Sequence, residues 1–210
     1  GIQLQIQPHR GRLVIPCDHK TAGDAVGYYS HVIYSDDRGK TWQLGGITED
    51  GVNECQVIER TDGSLLLNMR RSRNNKATVR AIATSDDGGK SWSPLDYDEA
   101  LIAPRCQASL LRYNAPDAAG EPLVLFSNPA DRSNRVRMTV RFSRDDGRTW
   151  PDERVIHPGP SAYSCLTVLD DGRIGCLYER GDKHPYETIT FARLTLDALA
   201  EERNPAVEKK

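Results

Sequence analysis

The sequence has no apolar run near the roughly 20 residues that a membrane-spanning helix needs, so no membrane span is expected. It also lacks an excess of one charge, because 28 Lys and Arg stand against 30 Asp and Glu. This balance gives no long-range field for nucleic acid, which is not expected as a partner. The charges are interspersed, and 210 residues are enough for one sizeable core.

Cysteine is scarce, and its spacing matches no standard site. The five residues are odd in number and contain no C-x-x-C pair, so neither a zinc site nor a disulfide framework is expected. No metal or cofactor is expected from the rest of the sequence. We expect the thiols to be small buried residues on strands. They are Cys17, Cys55, Cys106, Cys165 and Cys176.

One octapeptide occurs three times with the form S-x-D-x-G-x-[TS]-W. The copies begin at Ser35, Ser85 and Ser143, 50 and 58 residues apart, a spacing within the range of β-propellers. A strand precedes each copy, Asp and Gly make a tight turn, and the Trp leaves on the next strand, where it can pack between blades. We interpret these Asp and Trp residues as structural.

A second repeat is a short apolar run after a turn signal such as Asp62-Gly63. Runs that are apolar throughout indicate strands buried on both faces, as the inner strands of a propeller are. The runs cover residues 11–16, 63–68, 121–126 and 172–177; further strands are predicted over 54–59, 106–112, 164–169 and 188–195, and a helix over 196–203. The sequence thus predicts an all-β propeller with about four blades in residues 1–196, then a short helix and polar tail over 197–210.

Five polar residues lie at the ends of these predicted strands. Glu54 opens a strand, Arg70 closes one, Arg135 follows a loop, Tyr163 precedes a strand and Glu179 follows one. Strands that converge on the axis of a propeller can bring such residues into one pocket. An Arg at a strand end is more often a solvated surface residue, and a Tyr is more often core or rim.

These residue types suit a particular chemistry if they do converge. Two guanidinium groups bind a carboxylate as a bidentate fork. A phenol is a weak nucleophile at neutral pH, because its pKa is near 10, but an adjacent carboxylate that accepts its proton activates it. Tyr163 beside Glu54 would form such a pair.

From Gly1 to about Leu196 the chain resembles the C-terminal two-thirds of exo-α-sialidases (neuraminidases) with Asp-box repeats. The resemblance rests on the octapeptides and on five ordered segments. They are residues 53–56, 62–70, 126–129, 161–164 and 176–179. It implies a six-bladed propeller that releases terminal sialic acid with retention of configuration, by the Tyr-nucleophile variant of glycoside hydrolysis.

The resemblance also implies a role for each residue of the set. Tyr163 is the expected nucleophile and Glu54 its base. Arg70 and Arg135 are the expected second and third members of an arginine triad that holds the substrate carboxylate. Glu179 is expected to orient the first arginine of that triad.

Other residues are weaker candidates for the same pocket. Gln107 begins a predicted inner strand, and a role in lining the pocket is weighed against a purely structural one. Asp18 and His19, with Tyr28 and Tyr29, are expected in the loop after the first strand, where they could contact the sugar. Arg71 and Arg73, the basic neighbours of Arg70, are expected to face solvent.

Two family features have no match in this sequence. They are the first triad arginine, in an Arg-Ile-Pro type motif, and the acid/base aspartate that follows it. Arg12 is followed by Leu13-Val14-Ile15-Pro16 but lies in a later blade. We therefore expect the working enzyme to include an N-terminal segment of the same propeller before Gly1.

Alternative functions remain open at this stage. The first is a non-catalytic Asp-box propeller that binds sialylated glycans or a protein partner. The second is a trans-sialidase, which shares the first half-reaction and differs in the acceptor. Because sialylated glycans are mostly extracellular, a secreted or periplasmic protein is expected, with a cytoplasmic one as the alternative.

Overall fold

The computed structural model describes residues 1–22, 27–72, 75–115 and 121–200, except the side chain of residue 200. The first sheet is an antiparallel meander in the order β1-β2-β3-β4. Its strands are β1 (Ile2–Gln3), β2 (Leu13–Lys20), β3 (Tyr28–Ser35) and β4 (Gln43–Ile47). The second sheet repeats this order with β5 (Val52–Glu59), β6 (Leu65–Arg71), β7 (Val79–Ser85) and β8 (Asp96–Ile102).

The third sheet has six strands in chain order. They are β9 (Ser109–Arg112), β10 (Val124–Pro129), β11 (Val136–Ser143), β12 (Asp152–Val168), β13 (Ile174–Arg180) and β14 (Thr188–Leu194). The long strand β12 pairs with β11 up to Pro160 and with β13 from Ser161 onward. It therefore passes from one meander into the next.

The first strand of each meander contacts the first strand of its neighbour, since β1 contacts β5, β5 contacts β9 and β9 contacts β12. Such convergence of first strands is the arrangement of a β-propeller. The predicted all-β propeller type is confirmed, and the number of blades stays a prediction. No helix in the described part of the chain is long and apolar enough to span a bilayer.

Each octapeptide forms the predicted turn between the third and fourth strands of a meander. In the second copy the Asp87 carboxylate accepts hydrogen bonds from the Ser91 amide at 2.9 Å and the Ser91 hydroxyl at 2.6 Å. Ser85 Oγ accepts one from the Gly89 amide, and Gly89 has a φ of 90°. Positive φ suits Gly, because it has no Cβ. The same pattern recurs around Asp37 and Asp145.

Two of the three Trp residues pack between sheets as predicted. Trp92 Nε1 donates to the Gly46 carbonyl of the first sheet at 3.0 Å. Trp150 is buried beside Phe126, and its Nε1 donates to Asp98 of the second sheet at 2.8 Å. The prediction is wrong for Trp42, which is 41% exposed, because no other described sheet covers that face of the first sheet.

The burial of the apolar runs is confirmed in part. Residues Leu65–Leu67 of β6 and all of β10 are buried. The run in β2 departs from the prediction, because Ile15 faces the same uncovered side of the first sheet as Trp42. The short helix α1 spans Leu196–Ala200; the rest of its predicted range lies outside the described residues.

The expectation of buried cysteines on strands is correct only in part. Cys106 is buried in the loop before β9, and Cys176 is buried on β13. Cys17 and Cys55 are partly exposed on their strands. Cys165 is exposed, because alternate residues of a strand point to opposite faces and its neighbour Leu166 takes the buried one.

Candidate functional site

The structure brings together two predicted site residues that are 109 positions apart. The Tyr163 hydroxyl donates to Glu54 Oε1 at 2.9 Å. Arg70 Nη1 lies 2.6 Å from Glu54 Oε2 and 3.3 Å from the same Tyr163 hydroxyl. Tyr, Glu and Arg thus form one hydrogen-bonded group that joins the second and third sheets.

Both members of the Tyr–Glu pair lie at irregularities in strand pairing. The register of β5 on β6 shifts between Val52 and Cys55, a step that contains Glu54. The register of β12 on β13 shifts between Ser161 and Ser164, a step that contains Tyr163. Such bulges occur beside active sites, where they redirect a side chain. Tyr163 therefore lies within β12, not before a strand as predicted.

Arg135 lies directly before β11, and its guanidinium carbon is 5.7 Å from the centre of the Tyr163 ring. Arg135 Nη2 donates to the Arg105 carbonyl at 2.8 Å, and Nη1 donates to the Tyr186 hydroxyl. The Ser161 amide donates to the Arg135 carbonyl, which ties this residue to β12. The second predicted arginine therefore joins the same site.

Gln107 and Glu179 hold the backbone around Tyr163. The Gln107 side-chain amide donates to the Ser164 carbonyl, and its oxygen accepts from the Ser164 amide, both at 3.0 Å. Glu179 Oε2 accepts from the Tyr163 amide at 3.0 Å. The prediction that Gln107 begins a strand is wrong, because β9 starts only at Ser109. Glu179 lies within β13 and not after it.

Asp18 and His19 lie on β2, and not in a loop as predicted, because β2 pairs with β3 as far as Lys20. The ring of His19 stacks on Tyr29, and its Nδ1 lies 3.1 Å from Nδ1 of His31. Neither Asp18 nor His19 contacts Tyr163 or Glu54. Their contact with a sugar stays a prediction.

Contacts and burial within the site shift the pKa values of its ionisable side chains. Burial, and then the hydrogen bond and charge of Glu54, raise the pKa of Tyr163, while Arg70 opposes this shift. Burial alone would lower the pKa of Arg70, but its contact with Glu54 raises it. Beneath them Arg80 is 1% exposed and burial lowers its pKa to about 10. The phenol therefore stays protonated at neutral pH between an anion and a cation.

A cavity of about 660 Å³ opens beside this group. Its lining includes Arg70, Arg135 and Tyr28, whereas Tyr163 lines a separate recess of about 290 Å³ with Glu179. The larger volume lies within the range of small-molecule sites.

Several residues of the site were missed or misjudged from sequence. Arg71 was expected to face solvent, but it is half-buried and lines the large cavity with Arg105. Arg73 lies outside the described residues. Tyr186, which binds Arg135, follows no motif. Only the tertiary contact between distant loops reveals Tyr186. For Arg71 the sequence held one weak signal, which is that it directly follows Arg70.

Comparisons with known proteins show the family and the fold of the chain. The BNR repeat-like domain family matches residues 2–176. A sialidase of Micromonospora viridifaciens is 41% identical over 92% of this chain. The structure of the Hadza microbial sialidase Hz136 superposes on 90% of the chain with a TM-score of 0.70 and 30% identity.

A leech intramolecular trans-sialidase in complex with 2,7-anhydro-Neu5Ac superposes on 96% of the chain, with a TM-score of 0.76 and 25% identity. The chain spans about a third of these relatives: 30% of the Micromonospora protein, 36% of Hz136 and 32% of the leech protein.

Proposed function

Because this chain belongs to the BNR-repeat sialidase family, we propose that its protein is an exo-α-sialidase that removes terminal sialic acid with retention of configuration. Tyr163 acts as the nucleophile and Glu54 as its base. The observation that carries this assignment is the 2.9 Å hydrogen bond from the Tyr163 hydroxyl to Glu54 Oε1.

The substrate explains the use of a phenol. The anomeric carbon of a sialoside bears a carboxylate, which would repel a charged Asp or Glu nucleophile. Tyr163 approaches as a neutral group, since Glu54 and burial raise its pKa. As the phenolic oxygen bonds to the anomeric carbon, its proton passes to Glu54 and the glycosidic C–O bond breaks. The leaving oxygen takes a proton from the acid/base aspartate that another segment of the protein is proposed to supply.

The arginines supply the opposite charge. Arg70 lies beside the Tyr163 hydroxyl and Arg135 beside its ring, and both line one cavity, where a substrate carboxylate would meet two guanidinium groups. Their charge persists while the sugar becomes oxocarbenium-like, so they also stabilise the transition state. Glu179 accepts a hydrogen bond from the Tyr163 amide and is proposed to orient the first arginine of the triad. Another segment of the protein is proposed to supply that arginine and the acid/base aspartate.

The same aspartate then takes a proton from water as the water oxygen bonds to the anomeric carbon. The sialyl–tyrosine bond breaks, and Glu54 returns its proton to the phenolic oxygen. A related protein is described as an intramolecular trans-sialidase in complex with 2,7-anhydro-Neu5Ac. The corresponding alternative for this protein is that a hydroxyl of the sugar itself, in place of water, attacks the anomeric carbon. Mass spectrometry of the released sugar distinguishes the two outcomes, because an anhydro product is lighter than free sialic acid by one water.

The test is release of the fluorophore from a fluorogenic sialoside by the full-length protein. Tyr163→Phe is expected to lower kcat/KM by roughly 10³-fold or more, because no nucleophile remains. The matched control is Tyr34→Phe, which removes a hydroxyl bonded to Gln43 in the first sheet, away from the site. Full activity in Tyr163→Phe would contradict the proposal. A sialoside that binds the wild-type protein and is never cleaved would favour a non-catalytic glycan-binding role.

A further inference from the structure

We propose that the large cavity contains a second anion-binding subsite, which selects sialosides whose neighbouring sugar also carries a negative charge. Three cations form this cationic subsite: Arg71, Lys76 and Arg105. The inference rests on the proposed sialidase function and adds a substrate class to it.

The first observation is the charge of the cavity wall. Five cationic side chains line it, and the described lining residues include no carboxylate. The cations are Arg70, Arg71, Lys76, Arg105 and Arg135. Glu54 neutralises only Arg70, at 2.6 Å. The cavity therefore keeps a strong positive potential.

The second observation is that the three cations of the subsite form no ion pair with a carboxylate of the described residues. Arg71 Nη1 donates to the Asn75 carbonyl at 3.0 Å. Among the described residues, the Arg105 and Lys76 side chains have neither a hydrogen-bond nor an ion-pair partner. Burial, and then repulsion by Arg105 and Arg70, lower the pKa of Arg71. Cations that line one cavity and repel each other favour a bound anion.

The third observation concerns polar atoms in the cavity wall. Ser72 is 3% exposed, yet its hydroxyl makes no hydrogen bond within the described chain. Asn53 Oδ1 and Arg71 Nε are also buried atoms that make no hydrogen bond within the described chain. Buried polar atoms are normally hydrogen-bonded, so these cavity-lining residues keep polar capacity that the described chain does not use.

A substrate with one sialic acid brings one carboxylate, which the pair Arg70 and Arg135 would hold. Such a substrate leaves the three subsite cations unpaired. A second anion one sugar away would pair them, and a guanidinium binds a carboxylate and a sulfate ester with the same forked geometry. The shared chemistry is therefore an oxyanion on the neighbouring sugar, with either source able to supply it.

The test compares three substrates of the full-length protein. Sialyllactose has a neutral neighbouring sugar, disialyllactose has a carboxylate there, and a sulfated sialyllactosamine has a sulfate. The wild-type protein is expected to show a higher kcat/KM for at least one dianionic substrate than for sialyllactose. In Arg105→Gln and Arg71→Gln this preference is expected to fall about tenfold, which corresponds to about 1.4 kcal/mol.

Arg132→Gln is the matched control. Arg132 is exposed on the same loop as Arg135 but bonds to Thr78 and does not line the cavity, so the preference should persist. Preference for the disialyl or for the sulfated compound alone identifies the source of the anion. Equal kcat/KM for all three substrates overturns the subsite, as does an unchanged preference in both cavity variants.

The proposed function and the subsite fail in different ways. If the protein releases no sialic acid from any substrate, the proposed function is wrong. The subsite is then tested by calorimetry with the same three compounds. Tighter binding of a dianionic compound, weakened in Arg105→Gln, supports it, and equal Kd values contradict it.

Discussion

The Tyr163 hydroxyl lies between one carboxylate oxygen and one guanidinium nitrogen, and this position defines its chemistry. Glu54 Oε1 accepts a hydrogen bond from the hydroxyl at 2.9 Å, while Arg70 Nη1 lies 3.3 Å from it and favours the phenolate. The pKa of Tyr163 is nevertheless raised, because burial and Glu54 outweigh Arg70. Proton transfer to Glu54 therefore has to accompany attack, since free phenolate is not available at neutral pH.

Glu54→Gln is expected to lower the pKa of Tyr163, because it removes the negative charge that helps to raise it. NMR of ¹³Cζ-labelled tyrosine, titrated through the alkaline range, measures this value. Glu179→Gln is the matched control, since Glu179 accepts from the Tyr163 amide and not from its hydroxyl. An unchanged Tyr163 titration in Glu54→Gln would show that the pair is not coupled.

At the scale of elements, two kinds of irregularity determine the site and the fold. Bulges in β5 and β12 direct Glu54 and Tyr163 toward each other at one end of the propeller. Asp-box turns close the third and fourth strands at the opposite end. The turns are held by local hydrogen bonds, whereas each bulge depends on the pairing of two complete strands.

The Asp-box turn predicts an acid-dependent part of the stability. Burial opposes the ionisation of Asp87, but hydrogen bonds from Ser91, Ser85 and Lys90 outweigh it and lower its pKa to about 2. The value in the unfolded chain is about 3.9. Ionised Asp87 therefore stabilises the fold above pH 4, and this contribution is lost as the pH falls toward 2.

Asp87→Asn should consequently flatten the decline of stability between about pH 4 and pH 2. Urea midpoints measured at several pH values would show the difference. Asp86→Asn is the control, because Asp86 is exposed and makes none of the turn's hydrogen bonds. Equal slopes for the wild type and Asp87→Asn would contradict the assignment.

At the scale of the whole molecule, the sheets are joined by apolar contacts and by one buried carboxylate, that of Asp146. Asp146, in the turn of the third octapeptide, is 2% exposed and pairs with Arg112 of β9. Its Oδ2 accepts from the Thr61 amide at 3.1 Å and from the Thr61 hydroxyl at 2.5 Å. A single carboxylate thus connects the second and third sheets.

Asp146→Asn is expected to cost about 2–3 kcal/mol of unfolding free energy, because it leaves the Arg112 charge without its partner. Asp62→Asn provides the comparison. Asp62 pairs with Arg148 across the same boundary, but both side chains are about half exposed, so the cost should stay below about 1 kcal/mol. Chemical denaturation measures both values, and similar costs would show that burial of the pair is unimportant.

Much of this protein is determined by local sequence. The octapeptide turns are an example, because Asp carboxylates bond to the next few amides and Gly takes positive φ without help from distant residues. The apolar runs of β6 and β10 likewise follow from composition. Resemblance to a family pointed to Tyr163, Glu54, Arg70 and Arg135, since their order along the chain is itself a signal.

Only the tertiary structure decided how these residues meet. The contact between Tyr163 and Glu54 spans 109 positions and needs two bulges that no local motif encodes. Gln107 binds the Ser164 backbone of β12, and Arg71 lines the cavity. Both positions depend on how neighbouring sheets place their loops. Local bonds are set by adjacent residues, whereas the cationic cavity exists only where several strand ends converge.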